Sequence, residues 1–179
     1  MSERKRSTLA ALLEEKPKRG RPPRAVRRKN VYVAMPRDLK KSVENMAGEL
    51  PDGLGRADIP DMSVNLLTIR MELLRRDVAD RDREIPEGVT DLESLYLLWD
   101  LPLPNEEVKP GWTSIRLSPQ QTIELGRVHG ALNAMFGANR SQVYWLGLTL
   151  FRQFLSIELA GKSFESPPEV NAWMQRIYL

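Results

Sequence analysis

Two short stretches of the chain alternate apolar and polar residues with a period of two, which predicts strands with one buried and one free face. They span residues 29–36 and 112–119. The inward faces consist of Val31, Val33 and Met35 in the first stretch and of Thr113, Ile115 and Leu117 in the second. Neither strand can satisfy its backbone hydrogen bonds alone. We therefore predict that the two pair as an antiparallel ribbon.

Each strand is followed by a proline, Pro36 or Pro119, and then by two segments whose apolar residues recur at helical spacing. The predicted helices span residues 37–50 and 63–78 in the first unit and residues 120–132 and 141–157 in the second. Ser63 and Ser141 are good N-cap residues and predict where the second helix of each unit begins. A repeated unit of this kind usually means that neither copy buries its core alone.

Three further segments predict short helices. Residues 7–16 are predicted to form a helix that is too short to be stable by itself. Thr90 begins a capping-box pattern that predicts a second short helix. The last helix follows Ser166, and its apolar face consists of Val170, Trp173 and Ile177. The N-terminal and C-terminal helices are each expected to pack on the body of the protein or on a partner, which includes a second copy of the chain.

These patterns divide the chain into five parts. They are a flexible basic arm (1–28), a first strand-helix-helix unit (29–80), a connector with a short helix (81–110), a second unit (111–160) and a C-terminal helix (161–179). The predicted fold class is mainly α with a two-stranded antiparallel β-ribbon and extra short helices.

Composition excludes several kinds of site. The 179 residues include no cysteine and a single histidine, so disulfides, thiolate metal sites and histidine-rich zinc sites are excluded and no cofactor is expected. No phosphate-binding glycine loop or nucleophile-base set is found, so we do not expect an enzyme. The longest apolar run, residues 143–151, is too short to span a bilayer, and the N-terminus lacks the apolar core of a signal peptide. We expect a soluble cytoplasmic protein.

Charge is distributed unevenly along the chain. Up to Asn30 there are eleven basic and three acidic residues, a net charge of +8, which leaves −5 for the rest of a chain whose total is +3. A basic arm on a mildly acidic body is typical of a polyanion binder. A solvated, disordered tail would have the same composition.

Within the arm, residues 16–24 alternate basic residues with proline and glycine, which holds the chain extended. The core Arg19-Gly20-Arg21-Pro22 resembles an AT-hook, a motif that lies in the narrow minor groove of A·T-rich DNA. That groove has an enhanced negative potential that attracts arginine. The resemblance implies that the minor-groove contacts are Lys18, Arg19, Gly20, Arg21, Pro22 and Arg24. A basic proline-rich linker is the alternative.

The two units together resemble the ribbon-helix-helix DNA-binding proteins, the β-ribbon class of the Arc and MetJ repressors. Residues 31–38 are similar to that family's strand and first turn. Ser63-Val64-Asn65 and Arg140-Ser141-Gln142-Val143 are similar to the start of its second helix. Most members are homodimers in which each subunit supplies one strand. Two units in one chain therefore imply a pseudo-dimer formed within one molecule.

The resemblance also implies which residues contact DNA. Outward side chains of the ribbon enter the major groove, and the second helices direct backbone N–H groups at phosphates. The implied base-reading residues are Asn30, Tyr32, Ala34, Trp112, Ser114 and Arg116. The implied phosphate contacts are Ser63, Val64, Arg140, Ser141 and Gln142. Arg116 is the best candidate for base reading, because arginine bonds the O6 and N7 atoms of guanine.

The expected function is binding of double-stranded DNA, as a nucleoid-associated transcriptional repressor with an asymmetric site. The same fold also serves in plasmid partition and in assembly of the conjugative relaxosome, so an accessory role there is an alternative. A different class of function is that of a protein adaptor that has lost DNA readout and holds a partner through its N-terminal or C-terminal helix.

Overall fold

The computed structural model describes residues 27–77, 88–105 and 109–178. Within these ranges the chain is mainly helical and has one small two-stranded antiparallel sheet, which confirms the predicted class at that level. The elements in chain order are β1 (Lys29–Met35), α1 (Arg37–Glu49), α2 (Ile59–Asp77), α3 (Leu92–Leu98), β2 (Gly111–Leu117), α4 (Pro119–Phe136), α5 (Arg140–Ile157) and α6 (Pro167–Tyr178). The helix predicted at residues 7–16 and the AT-hook-like segment lie outside the described residues.

The two strands pair with each other, as the alternation of their residues predicts. In the antiparallel register Asn30 lies opposite Arg116, Tyr32 opposite Ser114 and Ala34 opposite Trp112. The inward residues Val31, Val33, Met35, Ile115 and Leu117 are buried, and Thr113 is half-buried. The apolar side of the ribbon therefore closes over the helices, and its other side faces outward.

α2 begins at Ile59, four residues before the start predicted at Ser63. The Asp58 carbonyl accepts the Met62 N–H, and Pro60 lies in the first turn, where its missing N–H is tolerated. Ser63 lies inside the helix, fully buried, and its hydroxyl donates to the Ile59 carbonyl at 2.8 Å. The prediction that Ser63 caps this helix is therefore wrong.

α2 and α5 cross in the middle of the core. The six consecutive residues 146–151 of α5 are all buried, so this stretch of the helix is surrounded on every side. At the crossing, a Cβ atom built on Gly147 would lie 2.9 Å from the Ser63 carbonyl oxygen and 3.4 Å from the Leu67 side chain. The backbones of the two helices approach this closely because residue 147 has no side chain.

The shorter helices pack around this crossing. Asp91 is the N-cap of α3, and its carboxylate accepts the Ser94 N–H, so the predicted cap at Thr90 is wrong by one residue. α6 packs on α2, where Asn65 donates to Asn171 at 2.8 Å. The C-terminal helix thus packs on the body of its own chain. Val170 on its predicted apolar face is buried, and so is Met174, which the prediction omitted.

None of the helices in the described ranges is both long and apolar enough to cross a membrane.

The crossing makes a first prediction about stability. Gly147→Ala is expected to lower the free energy of unfolding by about 1–3 kcal/mol, because the new methyl group forces the two backbones apart. Gly126→Ala in α4 is the control, since a Cβ there meets nothing within 4 Å. The control is expected to raise stability by about 0.5–1 kcal/mol, because alanine is the better helix former. Urea denaturation of both variants measures the difference. Equal effects at the two positions would contradict the close approach.

Candidate nucleic-acid interface

The structure brings all six predicted base-reading residues together on the outward face of the ribbon. Five are exposed, including Tyr32 at 67% and Trp112 at 78%, and Ala34 is half-buried. Their positions follow from the alternation of each strand and from the register between the strands. Both strands contain basic residues, Lys29 and Arg116, and neither contains an acidic one. The outward face is thus open and carries the positive charge of Arg116 and no acidic side chain, whereas Lys29 lies opposite Leu117 at a position that alternates with the outward ones.

The register gives the two ends of this face different chemistry. At one end Asn30 lies opposite Arg116, so hydrogen-bonding side chains are paired there. At the other end Ala34 lies opposite Trp112, and Tyr32 stands diagonally beside the tryptophan on the same face. We call these the polar end and the aromatic end of the ribbon.

The outer edge of β1 is closed by α5. The Ala34 N–H donates to the Ser141 hydroxyl oxygen at 2.9 Å, and the Trp145 indole N–H donates to the Ala34 carbonyl at 2.7 Å. These bonds satisfy backbone groups that an uncovered edge strand leaves open. They also hold the first turn of α5, with the exposed side chain of Arg140, beside the ribbon.

Asn139, and not Ser141, caps α5. Its side chain accepts the Ser141 N–H at 2.9 Å and the Gln142 N–H at 3.1 Å, and the Gln142 side chain accepts the Asn139 N–H at 2.9 Å. This is a capping box. The predicted cap at Ser141 is wrong, and the N–H groups of Ser141 and Gln142 expected to face phosphate are already bonded to the cap. Of this predicted set, Arg140 presents an exposed charge at the surface.

The corresponding prediction for the first unit is wrong. Ser63 and Val64 are 0% and 1% exposed. Because α2 begins at Ile59, these residues lie in its second turn, under other elements, and cannot reach a phosphate. The predicted minor-groove residues 18–24 lie outside the described residues.

Arg28, counted with the basic arm, is held at the start of α2. Its guanidinium donates to the Ala57 carbonyl and to Asp58 at 2.6 Å, and it lies 3.1 Å from Asp61. Asp61 in turn accepts the Ser118 N–H at 2.9 Å, directly before α4. This network joins the entry to β1 with the beginnings of two helices. The charge of Arg28 is therefore neutralised within the fold. The sequence pattern did not reveal these contacts, because the partners of Arg28 lie 29 or more residues away along the chain.

Asp61 sits in a balance of opposing effects. Burial raises the pKa of its carboxyl above the usual value, and the Ser118 N–H and the Arg28 guanidinium oppose that rise. A nearby carboxylate, Asp58, adds to it. Arg28 is therefore the cation that offsets the repulsion between the neighbouring carboxylates of Asp58 and Asp61 at neutral pH.

Beside the aromatic end lies a cleft of about 530 Å³. Its walls come from the ribbon, from α4 and from the first turns of α5, and they include Tyr32, Trp112, His129, Arg140 and Trp145. Its lining, within the described residues, includes no acidic side chain. The cleft opens on the same side of the molecule as the outward face of the ribbon.

Comparison of the chain with family models, curated proteins and solved structures finds no match.

The network around Arg28 makes a second prediction. Arg28→Met is expected to lower the free energy of unfolding by about 1–3 kcal/mol at neutral pH, because it leaves partly buried carboxylates without their cation. Arg27→Met, at an exposed neighbour, is the control and is expected to change stability little.

The pH dependence of this deficit has a definite sign. Without Arg28 the pKa of Asp61 in the folded state rises further above its unfolded value. A group with a raised folded pKa gains stability as pH falls through that pKa. The deficit is therefore expected to shrink on acidification toward the usual value of 3.8. Urea denaturation across this range measures it, and a deficit that grows on acidification would contradict the assignment.

Proposed function

We propose that this chain binds double-stranded DNA through the outward face of its ribbon and acts as a transcriptional regulator. The observation that carries the proposal is the ribbon itself: a two-stranded antiparallel ribbon with an uncovered face and no acidic residue in either strand. A two-stranded ribbon has the width to enter the major groove. The positive charge of the face matches the phosphates on either side of that groove.

We further propose that the chain is a tandem ribbon-helix-helix pseudo-dimer. Each strand leads into two helices, and the N-caps Pro36 and Ser118 are 82 positions apart. Tyr32 and Ser114, which face each other, are separated by the same 82 positions, so a local two-fold axis passes between them. An alignment of the two units on their prolines, Pro36 and Pro119, differs by one residue from the alignment that the strand register gives. The contact of α5 with β1 interleaves the two units, which also supports this organisation.

Recognition in this proposal is divided along the ribbon. Arg116 donates to the O6 and N7 atoms of a guanine, and Asn30 across from it pairs with a neighbouring base. Arg140 contributes a phosphate contact from the first turn of α5. Because the two ends of the ribbon differ, the DNA site is asymmetric, and the basic arm lies in an adjacent A·T-rich minor groove. The same mode of binding would serve plasmid partition or relaxosome assembly.

A protein adaptor is the second candidate function. The observation that favours it is a group of exposed leucines in and after α3, with Leu97 at 68%, Leu98 at 47% and Leu103 at 49% exposure. Exposed apolar groups of this kind are typical of protein contact sites. Gel shifts on random duplex pools at graded salt separate the two functions, since an adaptor selects no sequence and shows no salt-sensitive binding.

Base reading makes a third prediction. Arg116→Ala is expected to reduce the preference for a selected site over a scrambled duplex by a factor that corresponds to about 1–3 kcal/mol, while most non-specific affinity remains. Arg152→Ala is the matched control, because it also removes one exposed arginine. Arg152 lies on α5 about 18 Å from Arg140, the residue of that helix that lies beside the ribbon. Fluorescence anisotropy on both duplexes measures the ratio. Equal weakening on all sequences would count against base reading by Arg116.

The arm makes a fourth prediction. Replacing residues 16–24 by a Gly-Ser linker of the same length removes five basic residues. The plot of log affinity against log salt concentration is expected to become shallower by about 0.9 for each phosphate that the arm no longer neutralises. The linker keeps the spacing, so the change reports charge alone. An unchanged slope would mean that the arm does not touch DNA.

A further inference from the structure

The aromatic end of the ribbon carries two side chains that reading of an intact duplex does not use. Tyr32 and Trp112 are large rings with most of their surface in solvent, and they stand next to each other on one face. A ribbon in the major groove meets only the edges of paired bases. The flat surface of an aromatic ring binds best to another flat surface. These rings therefore match a ligand that offers the face of a ring.

The adjacent cleft has the size to hold such a ligand. Its volume of about 530 Å³ falls in the range of small-molecule sites. Its position is fixed, because the Trp145 indole N–H is bonded to the Ala34 carbonyl and the Ser141 hydroxyl accepts the Ala34 N–H. The cleft wall and the aromatic end are thus bonded to each other and form one surface.

The charge of the cleft selects among planar ligands. Arg140 lines it, and no acidic side chain does so among the described residues. The helix beginning at this point adds little by its own N–H groups, since Asn139 already accepts two of them. The guanidinium of Arg140 is therefore the group that binds an anion here, and a phosphate is the anion that arginine recognises best.

We propose that this cleft binds one nucleotide that is unpaired and unstacked from the DNA held by the ribbon. Its base stacks on Trp112 and Tyr32, and its phosphate lies at Arg140. The inference rests on the proposed function, because the bound DNA supplies the nucleotide. The preferred substrate is then a duplex with an unpaired nucleotide near the binding site, and the polar end of the ribbon grips the intact duplex beside it.

The test compares two labelled DNAs that differ in one feature. One is a perfect duplex and the other is the same duplex with a single unpaired thymidine. Fluorescence anisotropy with the full chain is expected to give about tenfold or tighter binding to the duplex with the unpaired base, the effect of one base stacked on an aromatic side chain. Trp112→Ala is expected to abolish this preference, so that the two DNAs bind with equal affinity. Trp112→Phe is expected to keep part of the preference.

Two controls make the readout specific. Arg116→Ala is expected to weaken binding to both DNAs by the same factor, so that the preference stays. With 2-aminopurine at the unpaired position, binding of the unaltered chain is expected to quench its fluorescence by stacking, and Trp112→Ala is expected to leave it bright.

The outcomes separate this inference from the proposed function. Equal affinity for the two DNAs, or a preference that survives Trp112→Ala, overturns the inference and leaves duplex binding intact. Absence of binding to either DNA overturns both. Tight, sequence-independent binding only to the DNA with the unpaired base supports the inference and counts against sequence reading by the ribbon.

Discussion

A strand of seven residues cannot satisfy its own backbone hydrogen bonds, and the fold depends on how β1 satisfies them. On one edge it pairs with β2, which lies about eighty positions further along the chain. On the other edge Ala34 bonds to Ser141 and Trp145 in α5. The hydrogen bonds at these two edges join the first part of the chain to the second. Without the other unit, each strand-helix-helix unit would therefore leave backbone groups of its strand unbonded. The two parts of the chain also meet where α2 and α5 cross closely at Gly147.

The Arg28 network determines where the basic arm leaves the body. Arg28 is held by Asp58 and Asp61, and the next residue, Lys29, lies opposite Leu117 in the ribbon. That is the polar end, next to Asn30 and Arg116. In the proposed complex the arm and the best base-reading residues therefore approach DNA together, and the aromatic end lies about 15 Å away along the strands.

The two ends of the ribbon explain how one surface can combine two kinds of contact. Hydrogen-bonding side chains suit the edges of paired bases, whereas Tyr32 and Trp112 suit the face of an unstacked one. The register places Arg116 and Trp112 at opposite ends, because β1 and β2 differ in sequence although they share a local two-fold axis. A homodimer with identical strands would repeat one chemistry twice. Two different strands in one chain allow each end to take its own partner.

The sequence by itself determined the elements whose signal is local. Alternation in residues 29–36 and 112–119 predicted both strands and their inward faces, and helical spacing predicted four helices to within a few residues at most ends. The starts of α2 and α5 were predicted too late, because Asp58 and Asn139 compete with Ser63 and Ser141 as polar residues near the same boundary. The tertiary structure decided the roles of the two serines, since burial of Ser63 and the bond from Ala34 to Ser141 depend on distant residues.

The same distinction holds for the candidate site. Its outward residues follow from the period of two, which any strand imposes. The neutralisation of Arg28, the cleft beside Trp112 and the packing of α6 on α2 were decided only by the tertiary structure. The reason is physical: a periodicity records which face of an element is apolar, whereas an ion pair or a cleft requires groups far apart in the chain to meet in space.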